Sequence, residues 1–259
     1  GGDSLIQWDK GRFYIGPRRV APVAWLGATY RGADRALKFL DMHLDRHAVS
    51  TRDMQILALT GSAENLAVTP QEEKILTLLN SRPFSIDELI KRTGVLFEKS
   101  LNLERLEENF IIQRCGLTLT DLLHVTDRFD RWSKESAQSY CRMFSRLTKM
   151  DIADLAEHLL DMGVERLTLE LLKRQLDEET DPEALHTCTV CRTLVKNLLA
   201  GGNDQYAVRI DLKRPVVGIG APIHFFLPRA AEVLGAKAVL PQDADVANAI
   251  GAITSNVVV

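Results

Sequence analysis

The sequence has no long hydrophobic run. No stretch approaches the roughly eighteen apolar residues that a membrane helix needs, so no span is expected. Cysteine is scarce: Cys115, Cys141, Cys188 and Cys191 are too few for a disulfide scaffold, and a reducing cytoplasm is the expected location. Neither charge dominates. Thirty-two Lys and Arg against 35 Asp and Glu leave a net charge of -3, which offers no electrostatic footprint for nucleic acid or an anionic membrane. Internal repeats and low-complexity tracts are absent. The opening Gly1-Gly2-Asp3-Ser4 has neither the basic nor the apolar segment of a secretion signal, and no initiator Met. A chain that opens inside a Gly-rich turn is expected to be a fragment of a longer protein. No Walker-type Gly-x-x-x-x-Gly-Lys-Ser/Thr loop occurs, and no Ser/His/Asp set has supporting context.

What is present suits a globular protein. Hydrophobic residues make up 46% of the 259, enough for one large domain or two modest ones. Leu5–Trp8 and Arg12–Ile15 flank the turn Asp9-Lys10-Gly11 and predict a hairpin that ends at Gly16-Pro17. Ala33, Ala36, Leu37, Leu40 and Leu44 recur at helical spacing and predict a helix over 31–46. From 69 to about 176 the pattern is mostly helical. Thr69-Pro70-Gln71-Glu72 and Ser85-Ile86-Asp87-Glu88 are N-terminal capping signals, and Gly94 is a helix stop. A third helix is predicted near Lys99–Asn109, then a short strand at Phe110–Arg114. Three short helices and a strand outline a winged-helix-like module over 69–116. Further helices are predicted over 133–148, capped by Ser133, and 151–176. Beyond an acidic break at 177–182 and a helical run at Thr193–Ala200, the texture changes. Strands are predicted at Ala207–Ile210, Pro215–Gly220 and Ala238–Leu240, with helices at Ile223–Leu234 and Asp245–Thr254. That alternation is α/β.

Several groups carry candidate chemistry. Gly218-x-Gly220-Ala221-Pro222 leads from a strand into a helix. Such a turn allows a nucleotide close to the backbone, or is simply a tight strand–helix connection. Gly1-Gly2-Asp3-Ser4 offers backbone N–H groups, centred on Gly2 and Ser4, to a nucleotide or substrate. Asp3 offers a carboxylate to a water-bound Mg²⁺; the plainer reading is a hairpin entry. Cys188-x-x-Cys191, with His186 before it, is half of a metal or redox site without a second pair, and otherwise reads as helix cysteines. Thr118 and Asp121 have capping spacing; Thr118, Thr120 and Asp121 otherwise sit near a site. His224, beside the Gly turn, is the histidine worth testing. The winged-helix-like segment invites a DNA reading, but it has seven bases against eight acids, and its third helix carries Glu104, Glu107 and Glu108. Contact with a protein, or a lid over substrate, is the better expectation.

Three stretches resemble the hydantoinase/oxoprolinase family. The first is Gly1-Gly2-Asp3-Ser4 followed by Ile15-Gly16-Pro17-Arg18, like the family's Gly-Gly-Gly-Ser turn and Val-Gly-Pro segment. The second is Gly116-Leu117-Thr118-Leu119-Thr120-Asp121, close to Thr-Pro-Thr-Asp. The third is Gly218–Pro222, then Ala238-Val239-Leu240-Pro241, then Val246–Ala252, resembling a C-terminal Gly turn, strand and closing helix. Asp3 in place of Gly, Leu119 in place of Pro, and Arg18-Arg19 in place of small residues depart from the pattern. The resemblance implies an actin-like ATPase with a ribonuclease H-like α/β lobe formed by 1–60 and 200–259. The helical stretch 69–180 would be an insertion in it. It implies ATP and Mg as cofactors of the parent protein, which couples ATP hydrolysis to opening of a cyclic amide. Gly218, Gly220, Ala221 and Pro222 would line the adenosine, with Asn248 and Gly251 packing behind. The partners implied are the missing N-terminal half, which carries the phosphate loops, and an amidohydrolase subunit. The alternative is a regulatory or protein-binding module on the same fold.

Overall fold

The computed structural model describes residues 3–44, 54–64, 66–220, 222–246 and 251. The chain divides into two compact units, Gly1–Leu160 and Asp161–Val259. Among the described residues no helix is long and apolar enough to cross a membrane.

The first unit is built on a five-stranded mixed sheet. Strand β1 (Asp3–Asp9) and strand β2 (Arg12–Pro22) form the expected hairpin. Lys10 and Gly11 both have positive φ (49° and 81°), the conformation a two-residue turn needs to match strand twist. Contrary to expectation, β2 does not stop at Gly16-Pro17. The pairing shifts between Ser4–Arg19 and Ile6–Ile15, so Gly16-Pro17-Arg18 bulge opposite Leu5 alone. Proline has no N–H to pair, and a bulge needs none there. The same irregularity lets neighbouring Leu5 and Ile6 both be buried, where strict alternation would expose one.

Helix α1 (Val23–Thr29) follows β2 directly and was not foreseen; helix α2 (Ala33–Leu44) was, and buries Ala33, Ala36, Leu37 and Leu40. Then come β3 (Ile56–Leu59), α3 (Pro70–Ser81), β4 (Phe84–Ser85), α4 (Ile86–Thr93), α5 (Glu104–Glu108) and β5 (Ile112–Gly116). The sheet order is β1-β2-β5-β3-β4. β2 and β5 run parallel, with Ala21 opposite Cys115, and the other neighbours are antiparallel. The segment expected as a helical insertion therefore supplies two strands to the sheet that the N-terminal hairpin begins. The caps behave as their chemistry requires. Thr69 accepts from the Glu72 N–H while Glu72 reaches back to the Thr69 N–H at 2.7 Å, and Gly94 ends α4 at φ 78°. The helix foreseen at Lys99–Asn109 is broken: a 3₁₀ turn over Glu98–Leu101 ends at Asn102 in the left-handed region, and α5 begins after it. Leu57, Ile75, Leu79, Ile86, Leu89, Leu101, Leu106 and Ile112 close a core beneath these elements.

Helices α6 (Leu119–Val125) and α7 (Lys134–Thr148) complete the first unit, and the division falls inside α8 (Ile152–Leu176). The second unit continues with α9 (Ala184–Thr187), α10 (Thr189–Leu199), β6 (Val216–Val217), α11 (Ile223–Val233) and β7 (Ala238–Val239). β6 and β7 pair in parallel around α11, a small strand–helix–strand unit. No strand forms at Ala207–Ile210. The Asn197 side chain takes the backbone there instead, accepting from the Val208 N–H at 2.7 Å and donating to the Tyr206 carbonyl at 3.1 Å, while the Leu212 N–H bonds Leu234.

Candidate functional site

Two of the three motifs that suggest a family meet within the first unit. The Thr120 hydroxyl donates to the Asp3 carboxylate across 117 residues of sequence, and the Ile6 N–H donates to the Leu117 carbonyl at 2.8 Å. The approach of β1 to the end of β5 depends on Gly116: a Cβ there would lie 2.5 Å from Leu5 Cδ1. Ser4 pairs with Arg19 in the hairpin and is half-buried, and Gly2 lies outside the described residues.

Asp121 is fully buried and caps two helices. Its Oδ2 accepts from the Thr118 N–H and hydroxyl, both at 2.9 Å, closing a capping box at the start of α6. Its Oδ1 accepts from the Ala24 N–H at 2.7 Å in the first turn of α1. Helix α1 needs this because its own N-cap is Pro22, whose side chain has nothing to accept with. Burial nevertheless pushes the Asp121 carboxyl up to about 7, against the pull of these donors. His124, one turn on, is buried too. Its Nδ1 lies 2.8 Å from the Thr120 carbonyl and its Nε2 accepts the Trp132 N–H at 3.0 Å, so the ring is held neutral with its proton on Nδ1. Burial lowers its pKa accordingly. Thr118, Asp121 and His124 thus hold structure together, and Asp3 is the group of this cluster left on its rim. One carboxylate suits Mg²⁺ kept mainly by water and phosphate, not by a protein cage. Among the described residues no three His, Cys, Asp or Glu gather closely enough to hold a metal ion.

The third motif lies in the second unit, between β6 and α11. Its two glycines differ in purpose. A Cβ on Gly218 would meet Leu227, Ile223 and Leu240 side chains at 2.6–3.0 Å, so this glycine lets the helix pack on the strand. Gly220 has φ 108° and open space where a Cβ would stand. The amides of both are engaged: the Gly218 N–H bonds the Val239 carbonyl at 2.9 Å, and the Gly220 N–H bonds Ala244 at 2.7 Å. Pro222 has no N–H. The turn therefore offers room and apolar edges, with no free donor from Gly218 or Gly220 for phosphate. Val217 and Ile219, on the strand foreseen at Pro215–Gly220, are 58% and 53% exposed beside it. His224 is exposed against Phe225. Ala221 and Asn248 lie outside the described residues, as does most of the helix foreseen over 245–254; Gly251 is described and exposed.

Two further features escaped sequence reasoning. A groove of about 380 Å³ runs between α8, α9 and α10, lined by Glu165, Leu169, Arg192, Val195 and Lys196 among others. Cys188 stands at the N-cap of α10, and its Sγ accepts the Cys191 N–H at 3.4 Å. The spacing marked this pair, but only the helix boundary shows that Cys188 is the cap. No family model matches the chain, and neither the curated proteins nor the solved structures contain a match.

Proposed function

We propose that the chain is the C-terminal portion of an ATP-dependent cyclic amidohydrolase of hydantoinase/oxoprolinase type, on an actin-like fold. The observation that carries this reading is the turn at Gly218, Gly220 and Pro222. It sits at the carboxyl end of a parallel strand, where α/β folds take nucleotides. Its engaged amides and exposed Ile219 suit the adenosine face of ATP, while phosphate contacts would come from the missing N-terminal half. ATP, when bound, supplies the phosphoryl group that activates an amide for opening. Within this chain, Ile219 and the Gly220 backbone would bound the adenosine. Convergence of Asp3 with Thr120 supports the reading, since it joins two motifs that the family carries far apart. Without a phosphate loop, phosphoryl transfer lacks its positioning groups. The isolated chain is expected to bind an ATP analogue weakly, in the millimolar range, and to release no phosphate with Mg²⁺ and hydantoin or 5-oxoproline. Ligand-observed NMR reads the binding, and Ile219→Glu should abolish it. Absence of binding, or turnover by this chain, would sink the proposal.

A second reading, a regulatory module that engages a protein through a winged-helix-like segment over 69–116, is favoured by two exposed apolar residues. Leu96 and Phe110 are 88% and 79% exposed, and Phe110 holds a left-handed backbone (φ 55°) that a bulky residue seldom adopts. Meanwhile Arg82, Arg105 and Arg114 pair with Glu88, Glu72, Glu98 and Glu107, and their charge is not free for DNA phosphates. A gel shift on duplex DNA at physiological salt is expected to show nothing at micromolar protein. A salt-sensitive shift would overturn this reading in favour of DNA.

A further inference from the structure

We propose that Cys188 and Cys191 form a solvent-accessible redox dithiol that interconverts with an intramolecular disulfide by exchange with a low-molecular-weight disulfide. The pair differs from the other two cysteines in every respect that governs thiol chemistry. Cys115 and Cys141 are buried in the first unit, and burial pushes their thiols well above the ordinary range. Cys188 and Cys191 are partly exposed, and Val190 between them is 66% exposed, so a disulfide has access. At the N-cap, Cys188 has an extended backbone (φ -77°, ψ 123°) and folds its sulfur back over the first turn of an eleven-residue helix. There it accepts the Cys191 N–H at 3.4 Å, which brings the second cysteine of the pair onto the Cys188 sulfur. That donor, with Arg192 beyond it, lowers the Cys188 pKa. Cys191, whose thiol donates to Cys188, is raised. The cap position and the amide on its sulfur make Cys188 the nucleophile and leave Cys191 as the resolving thiol.

The exchange balances as follows. The Cys188 thiolate attacks one sulfur of the incoming disulfide, forming a mixed disulfide and expelling one thiolate. Cys191 then loses its proton to water and attacks Cys188 Sγ. The Cys188–Cys191 bond forms, and the second thiolate leaves. Two electrons pass to the small disulfide, which becomes two thiols, and the protein loses two protons. No step requires a metal or a further oxidant.

The test uses the intact chain, reduced and then equilibrated in glutathione buffers of graded ratio, with alkylation and intact mass as the readout. The expected oxidised product is lighter by two hydrogens, monomeric, and protected from alkylation at Cys188 and Cys191, with Cys115 and Cys141 still thiols. In the reduced protein near neutral pH, Cys188 should alkylate several-fold faster than Cys191. Cys191→Ser should accumulate a glutathione adduct on Cys188, whereas Cys188→Ser should gain little adduct on Cys191; the wild-type mass change needs neither variant to fold. The proposal fails if oxidised glutathione leaves both cysteines alkylatable, or if it yields only intermolecular dimers. It also fails if both single variants take up glutathione equally, or if a tightly held zinc ion shields the pair.

Discussion

The two units bury their apolar residues to different depths. Beneath the sheet of the first, eleven buried hydrophobic residues form one cluster around β3, α3, α4 and β5. In the second, Leu172, Leu198 and Leu234 are the fully buried members of a cluster whose other residues are only partly covered. Both units carry exposed ion pairs, such as Arg128–Glu157 and Lys134–Asp127 in the first, but the first also has pairs with a buried carboxylate. Glu72 and Glu88 are nearly inaccessible and are matched by Arg105 and Arg82, whereas Arg229–Asp161, Arg166–Glu170 and Arg174–Asp177 lie open to water. Exposed pairs contribute little, so the second unit depends on a thinner core and a two-stranded sheet. Both units leave apolar side chains open, Leu96 and Phe110 in the first and Val217, Ile219, Leu240 and Val246 in the second.

The sharpest way to break the contrast is to overfill the first unit. A Cβ on Gly27 in α1 would fall 1.9 Å from Ser136 Oγ and 2.6 Å from its Cβ, so α1 and α7 touch there through glycine. Gly27→Leu should cost about 3 kcal/mol or more in urea unfolding, and a change near zero would show that the two helices do not pack so closely. Next in size is Asp121→Ala, which uncaps α1 and α6 together and should cost about 2–4 kcal/mol. The isosteric Asp121→Asn sharpens this through pH. A carboxyl whose pKa rises to about 7 on folding contributes stability below its ordinary range near 4, and that contribution is lost as pH rises towards 7. Wild type should therefore weaken between pH 4 and 7 by a component that Asp121→Asn lacks, read from melting curves across that range.

Arg105→Met should have a smaller effect, because Arg105 is itself partly exposed. The hydrogen bond from Arg105 holds Glu72 down at about 2, so that pair contributes stability above pH 4.5 that is lost as pH falls towards 2. The variant should accordingly be less sensitive to acid than wild type, and equal acid sensitivity would count against the pair. Smallest is Gly218→Ala in the second unit. The atoms it would meet are side-chain atoms of Leu227, Ile223 and Leu240 and no backbone, so a shift of about 1 kcal/mol is expected. A loss as large as that of Gly27→Leu would mean the second unit is packed as firmly as the first.

What could be read from the sequence was what is chemically local. Thr69, Ser85, Thr118 and Ser133 each accept from an amide three residues on; the helices opened by Thr69, Ser85 and Ser133 are legible, while at Thr118 the spacing leaves a cap and a site both open. Helix α1 was missed because its cap lies at Asp121, far away in sequence. The strand read at Ala207–Ile210 failed for the converse reason: its residues suit a strand, but Asn197 takes their hydrogen bonds. The Gly-Pro at 16–17 reads as a strand end because a bulge opposite Leu5 is a property of pairing, not composition. For the candidate site, the glycines of the C-terminal turn were recognisable, yet their different purposes depend on Leu227 and Ala244, which no local pattern reveals.

The double cap at Asp121 also bears on synthesis. The Ala24 amide and the carboxylate that receives it are 97 residues apart. At about 5–20 residues per second, the partner leaves the ribosome's catalytic centre roughly 5–20 s after the amide does. During that interval α1 is a seven-residue segment with no cap of its own, too short to persist alone. Its helical state must await α6, so the nascent chain cannot complete this corner of the protein piece by piece from its N-terminus.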